Sequence, residues 1–477
     1  MKYVGLFRSI TIIIILLYSF WNLHSGPLNP FDEARYGVNA MEMMKNGDYL
    51  NLYYAGKPDD WVFRPPLWIW CIILSYKVFG YNLFALRFPA AICILGFFYF
   101  TYRWVRLYKD EYFALFVVAL LAINKGITGF HVSRTGDMDA ALLLGLSIFL
   151  FYFSLFYTRS LKLKYALLAA VGLLIAFYTK TTASVLYLPG VILFLAWERK
   201  LKTILLNRNT WIGLSVYITG ILVWIVAIEL YGNKGIQNTF YGQQPGNAWK
   251  QMIVYDTWKR MTSSEFDGHP VKKNYAFYIE CIDSVFNPWN YGFYAGLLLV
   301  MVLYFNRQKK GQPYTLNGLL KMSICILIPI VIVLTFGMHK LHWYTAPTLA
   351  FLAVWVAEFL WHFHKVHKLA WILTAALFVV FGIKHFLKDI APFEPHVLEY
   401  PAQKNYDWIM IPYPNSNFLL YALWNKRRWE VFSSKDTIPI RPNTYYLTSH
   451  FMDTTKFKLI HRYRKYPYYK YDIYVAR

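Results

Sequence analysis

Asn29-Pro30-Phe31-Asp32-Glu33-Ala34-Arg35-Tyr36 follows closely on an apolar run from Val4 to Asn22. Two adjacent carboxylates and an arginine therefore sit beside hydrocarbon, where ions lose hydration and charge is costly. An isolated Asp-Glu pair reads as a solvated acidic loop. The sequence downstream argues otherwise. Phe63-Arg64-Pro65-Pro66-Leu67-Trp68-Ile69-Trp70 comes next, then Phe79-Gly80 and Leu86-Arg87-Phe88-Pro89. Each cation in this series lies at the edge of an apolar run.

Composition agrees. Of 477 residues, 57% are hydrophobic and 20% aromatic, more than a soluble chain of this length carries. Apolar runs of about 18 to 22 residues recur, the length that spans a bilayer. The net charge of +23 raises nucleic acid as a partner, but the placement of the charges excludes it. Arg103 to Lys109, Arg159 to Lys164, Arg199 to Arg208, Arg307 to Lys321 and Lys365 to Lys368 fall in alternate loops. The positive-inside rule puts those loops and the N-terminus in the cytoplasm. Cys71, Cys93, Cys281 and Cys325 show no metal-binding spacing and imply no disulfide framework.

The spans expected from hydropathy are Val4–Asn22, Leu83–Tyr102, Tyr112–Phe130, Met138–Tyr157, Tyr165–Tyr178, Ala183–Trp197, Ile212–Tyr231, Tyr291–Phe305, Leu319–Phe336, Leu341–Trp361 and Ala370–Phe386, eleven in all. The first has Lys2 and Arg8 ahead of its core and no small-residue cleavage site after it, so it reads as a retained anchor. Within the outer loop 23–81, Glu33 to Lys45 reads as a short helix with Tyr36, Ala40, Met43 and Met44 on one face, ended by Asn46-Gly47. Pro65-Pro66 opens a second, Leu67 to Val78, too short to span and suited to the interface. A second outer loop covers 232–290. From Lys388 the apolar runs end, and Trp408–Pro412, Thr444–Thr448, Lys458–Tyr463 and Tyr471–Val475 read as strands with a helix at Asn417–Trp424. The expected division is a transmembrane domain over 1–387 and a small extracytoplasmic α/β domain over 388–477, the latter with fourteen Lys and Arg against eight Asp and Glu. Its basic surface suits anionic headgroups or an anionic acceptor.

Further motifs keep the same order. They are Ser133-Arg134-Thr135-Gly136-Asp137-Met138-Asp139-Ala140, then Phe177-Tyr178-Thr179-Lys180-Thr181-Thr182, then His339-Lys340-Leu341-His342-Trp343-Tyr344-Thr345-Ala346-Pro347. With Asp32-Glu33 and Arg64-Pro65-Pro66, the series resembles the superfamily of lipid A aminoarabinose transferases and dolichyl-phosphate-mannose protein mannosyltransferases. That resemblance implies the GT-C architecture, here an all-α polytopic membrane protein with about eleven transmembrane helices. It also implies transfer, with inversion at the sugar carbon, from a polyprenyl-phosphate-linked sugar. Three departures stand out. Asp137 is extra, a glycine usually follows the lysine at Lys180, and many relatives have Glu-Lys where this chain has Phe63-Arg64.

A polyprenyl phosphate presents its phosphate at headgroup level, so binding it needs cations at the outer ends of several spans. Arg35, Arg64, Arg87, Arg134, Lys180 and Lys340 meet that requirement, although any one of them also fits a snorkelling or ion-paired role. Asp32 is the candidate catalytic carboxylate, the position that serves the acceptor nucleophile in the resembled family. Glu33 supports it or stabilises a helix N-terminus. Asp139 shares the site or simply opens a helix. Tyr36, His342 and Tyr344 are candidate substrate-lining residues, and His269, His339 and His342 are candidate acid–base or ligand groups.

The expected function is a glycosyltransferase of the bacterial inner membrane using a polyprenyl-phosphate sugar donor, such as one on undecaprenyl phosphate. Its acceptor would be an extracytoplasmic glycolipid, glycan or protein, with membrane lipids as partners. The alternative, a transporter of a lipid-linked sugar, calls for charges near midplane and internal repeats, whereas here the charges cluster at span ends. Phe63 in place of an acidic residue removes one metal ligand. Transfer without a divalent cation is therefore expected, although Asp32, Glu33, Asp139 and a histidine retain the ligand types for one. Topology is directly testable. In a cysteine-free variant, Asn417→Cys should react with an impermeant reagent in cells with a permeabilised outer membrane, and Lys310→Cys should not. The reverse pattern would invert the assignment.

Overall fold

A long apolar run in a bilayer must satisfy its own backbone, and the helix does so within one segment. A computed structural model of the chain describes residues 4–26, 28, 32–59, 64–129, 131–232, 251–263, 265–266, 269–270, 274–310, 316–366, 368–390, 406–411, 416–432, 436–448, 452–453, 455–466 and 469–476. Asn29 to Phe31, Phe63 and residues 233–250 therefore lie outside the described residues.

Each expected span coincides with a helix, but the helices differ in length. Among the described residues, six are long and apolar enough to cross a membrane: Leu83–Val105, Asp139–Thr158, Leu163–Val185, Arg208–Tyr231, Gly318–Phe336 and His342–His362. Phe277–Phe286 and Trp289–Lys309, bent by 113° between them, make a seventh if counted as one span. The expectation of eleven is not reproduced. The run after Asp110, for example, gives a helix of only 12 residues, Glu111–Ala122, about 18 Å long against a hydrocarbon core of about 30 Å. It stops because Asn124 caps a new short helix, Lys125–Thr128, and the chain turns. Val4–Phe20 and Leu188–Trp197 are also short. With these helices, the protein is a multi-pass membrane protein.

The chain divides into two compact units. One comprises Met1–Leu23, Asp60–Trp68 and Arg87–Pro392. Its most extensive helix pair is Asp139–Thr158 against Leu163–Lys180. A Cβ on Gly145 would lie 2.6 Å from the Ala176 nitrogen, and one on Gly172 2.5 Å from the Phe149 nitrogen. Small residues let membrane helices pack backbone to backbone in this way. The pair is antiparallel, so the start of the first helix meets the end of the second. At the basic-loop ends of the helices the charges pair locally: Lys109 with Glu358 and Lys321 with Glu198, each at 2.6 Å. Arg208–Tyr231 buries only Gly213, Tyr217 and Trp224 and exposes Leu222, Val223 and Val226, as a lipid-facing helix does.

The other unit comprises His24–Asp59, Ile69–Leu86 and Phe393–Arg477. This differs from the expected division at residue 387, which assigned the first loop to the membrane domain. The loop helix Asp32–Asn46 buries Ala34, Tyr36, Val38, Ala40 and Met43, and it packs on the C-terminal helix Ser416–Trp424. The C-terminal sheet runs in the order Trp429–Val431, Asp407–Ile411, Thr444–Thr448, Tyr469–Ala476, Phe457–Tyr466. The first three strands are parallel and the last two antiparallel to their neighbours. Trp408 faces Phe418 of the helix, while Ile409, Ile411, Tyr446, Phe457 and Tyr474 form the opposite core. The expected strands and helix are present. Trp429–Val431, three residues long, was too brief to carry a periodic signal.

The glycine contact is testable in isolation. Gly172→Leu should lower the melting temperature of the purified protein, with overpacking costing about 1–3 kcal/mol or more. Gly5→Leu, where nothing lies within 4 Å, should leave it unchanged. Equal melting of the two variants would contradict the close approach.

Candidate active site

In the helical unit, antiparallel packing brings Asp139, at the start of one helix, to Lys180, at the end of the next. Lys180 Nζ lies 2.5 Å from Asp139 Oδ1, and both side chains are largely buried. The Leu163–Lys180 helix ends there because Thr181 takes a φ of +43°. A β-branched residue is strained in that region, and glycine, which usually follows the lysine in the resembled family, is not.

The second oxygen of Asp139 faces His131, with Oδ2 3.4 Å from Nδ1, and Asp137 Oδ1 lies 3.8 Å from His131 Nε2. His131 is itself held at a φ of +72°. Strain of this kind persists where the surroundings over-determine a residue. Here the imidazole lies flat on Trp343, with ring centroids 3.7 Å apart and planes 4° from parallel. His342 meets the same indole edge-on at 4.7 Å, and the Lys180 ammonium lies 5.0 Å from the centre of the Tyr344 ring. Asp139, Lys180, His342 and Tyr344, all expected site residues, thus form one cluster. His131, Trp343 and Asp137 complete it. Neither His131 nor Trp343 was among the expected site residues, and Asp137 was set aside as extra. The available signal was a histidine, then Asp137 and Asp139 spaced two apart, on a loop entering a span. His131 and Asp137 have the donor types found in divalent-cation sites.

The arginines of this unit cluster at the end of the first helix. Arg134 donates to the carbonyls of Tyr18 and Trp21, at 3.1 and 2.6 Å. Arg87, buried, donates to Leu23 at 3.4 Å. Burial, and then the nearby Arg87 charge, push the Arg134 guanidinium down to about 10. Two cations held this close favour an anion beside them. Arg64 lies beside Met138, Nη1 to Sδ 3.1 Å, and Trp68 Nε1 donates to Gly136 O at 2.8 Å, so the Arg64 segment docks on the loop that leads to Asp139. Lys340 is placed differently. It donates to the Leu334 and Thr335 carbonyls at the end of the Gly318–Phe336 helix, and burial lowers its pKa.

In the second unit, Asp32 and Glu33 open the Asp32–Asn46 helix, where negative charge complements the helix dipole. Asp32 is half-buried, whereas Glu33 and Tyr36 are buried. Arg35 forms a fork on buried Asp59, at 2.9 and 2.5 Å, and lies 4.1 Å from the centre of the Tyr54 ring. Burial alone would lower the guanidinium pKa, but the Asp59 carboxylate holds it above its ordinary value. Asn39 bonds both Asp59 and the Tyr53 carbonyl, tying the helix to the hairpin Tyr53–Pro58. His269 lies in a short strand whose side chains fall outside the described set, and the side chain of His339 is half-buried.

Residues 63–226 match the family model described as dolichyl-phosphate-mannose-protein mannosyltransferase. A curated relative, undecaprenyl phosphate-alpha-4-amino-4-deoxy-L-arabinose arabinosyl transferase 2 of Pseudomonas fluorescens, is 22% identical over 327 residues, 68% of this chain and 54% of that protein. In three dimensions the chain is similar to ArnT from Cupriavidus metallidurans bound to undecaprenyl phosphate, with a TM-score of 0.57 at 16% identity over 75% of this chain and 60% of that one. It is also similar to the Archaeoglobus fulgidus oligosaccharyltransferase in the apo form, with a TM-score of 0.54 at 13% identity over 89% and 64%. This chain spans about half the length of the curated relative and under two thirds of either solved structure. The fold and the sequence matches together place it in the GT-C glycosyltransferase superfamily.

The ion pair of the helical unit can be tested alone. Asp139→Asn leaves Lys180 buried without its carboxylate and should cost about 3–5 kcal/mol of stability. Adding Lys180→Met should recover part of that loss, read as melting temperature. A stability of Asp139→Asn equal to that of the wild type would contradict the pairing.

Proposed function

We propose that this protein is a glycosyltransferase of the bacterial inner membrane that takes a sugar from a polyprenyl phosphate, most naturally undecaprenyl phosphate. The acceptor is an extracytoplasmic glycolipid, glycan or protein. The observation that carries the reading is the gathering of Arg87 and Arg134 at one helix end, with burial and mutual repulsion lowering the Arg134 pKa. A phosphate would relieve that repulsion. The match of residues 63–226 to the mannosyltransferase family supports the same chemistry.

In this reading the phosphate is both the handle of the donor and the leaving group. An acceptor oxygen forms a bond to the anomeric carbon as the bond from that carbon to the phosphate oxygen breaks. Polyprenyl phosphate leaves with the electron pair. Arg64, Arg87, Arg134 and Lys180 offset the charge that develops on it, a stabilisation stronger in the transition state than in the ground state. Asp32 takes the proton of a hydroxyl acceptor, or orients an acceptor that is already ionised. Glu33, buried at the same helix start, supports it. Tyr36, His342 and Tyr344 line the substrates. Arg35 and Lys340 hold the framework, the first through Asp59 and the second through helix carbonyls.

The test is a comparison of surface glycans and glycolipids by mass spectrometry in cells with and without the gene. Loss of one sugar increment on deletion, restored by the wild type but not by Asp32→Asn at equal protein level, is the expected result, with the variant down about a hundredfold or more in transfer. Arg64→Ala should weaken donor binding more than Arg64→Lys, because lysine keeps the charge and loses only the paired hydrogen bonds. Full complementation by Asp32→Asn would remove its assigned role.

A further inference from the structure

The C-terminal domain has no role in the scheme above, yet its helix is built into the element that carries Asp32 and Glu33. Gly37 lies four residues after Glu33, on the same face of the Asp32–Asn46 helix. A Cβ at Gly37 would meet Leu420 Cδ2 at 2.6 Å, Leu420 Cδ1 at 3.0 Å and the Tyr76 hydroxyl at 3.1 Å. Any side chain there must displace Leu420, and Leu420 is fully buried. The Ser416–Trp424 helix also makes contact on the other side of the acidic pair. Asn417 Nδ2 donates to the carbonyl of Leu28 at 3.3 Å. The hydroxyls of Ser416 and Tyr54 lie 2.8 Å apart, and the Tyr54 ring supports the Arg35 guanidinium. The same helix is anchored to the sheet behind it by Phe418 on Trp408, with ring centroids 5.0 Å apart.

Ties before the acidic pair, after it and beneath Arg35 are more than a surface domain needs to stay attached. We infer that the C-terminal domain is a positioning element for the reaction: Leu420, seated against Gly37, sets where the helix start bearing Asp32 and Glu33 sits. Leu420 touches no reacting atom and acts through the helix. The inference rests on the glycosyltransferase reading of Asp32 and adds a role for residues 416–424.

The contact predicts a compensating pair. Gly37→Ala pushes the helices apart, Leu420→Ala lets them loosen, and together the new methyl occupies the space vacated by the leucine. Each single variant should lower kcat about ten- to a hundredfold while the donor KM stays within about threefold, and the double variant should return kcat to within about threefold of the wild type. Hydrogen exchange over residues 32–46 of the intact protein should rise in Leu420→Ala and fall back in the double variant. A purely stabilising role would lower melting temperature, kcat and donor binding together, and the two losses would add. Additive losses, or unchanged kcat and exchange in Leu420→Ala from a wild type that transfers sugar, would overturn this inference and leave the glycosyltransferase reading standing. A wild type that transfers no sugar from any polyprenyl phosphate would remove that reading and the positioning role of Leu420 with it, whatever the exchange shows.

Discussion

Two helices, Asp139–Thr158 and Leu163–Lys180, lie close enough for backbone to touch backbone because Gly145 and Gly172 carry no side chains. That approach delivers Asp139 to Lys180 at hydrogen-bond distance in a largely buried setting. A carboxylate and an ammonium would each be costly alone in such surroundings, and paired they are retained. The pair then organises its neighbours. The free side of Asp139 faces His131, His131 lies on Trp343, and Tyr344 closes over Lys180. Strain at Thr181 and His131 is part of the same arrangement, with left-handed backbone at both residues. The local sequence does not favour these conformations, so the packing must hold them.

Charge is handled differently at the two ends of these helices. At the basic loops, Lys109 and Lys321 are paired with Glu358 and Glu198 and hold the bundle together. Near the start of the Asp139 helix, Arg134 turns to neutral carbonyls, and burial together with the charge of Arg87 lowers its pKa. In the second unit, by contrast, Arg35 is absorbed by Asp59, and the carboxylates of Asp32 and Glu33 sit at the start of a buried helix. The two units thus differ in electrostatic character as well as in architecture.

Much of this was legible in the chain itself. The acidic pair before a periodic apolar segment, closed by Asn46-Gly47, marked the loop helix, which the structure extends by one residue at each end to Asp32–Asn46. Alternating apolar runs and basic loops marked the membrane helices. Their number was overestimated, because hydropathy does not see where a cap such as Asn124 ends a helix after 12 residues. Grouping is not written in the local sequence either. Nothing local in residues 24–59 says that they pack with a sheet almost 400 residues later, since that depends on Gly37 accepting Leu420, a match between two surfaces. His131 escaped notice for a related reason. Its place beside Asp137 and Asp139 comes from a turn with positive φ and from a tryptophan two hundred residues away.

The most direct measurement is turnover by the purified protein in proteoliposomes containing a polyprenyl-phosphate sugar and a membrane extract from cells lacking the gene. Mass spectrometry would follow the donor and every lipid and glycan together. The account predicts that free polyprenyl phosphate appears in step with one product heavier by a single sugar. Donor that is bound or moved across the bilayer intact, with no polyprenyl phosphate released, would contradict it.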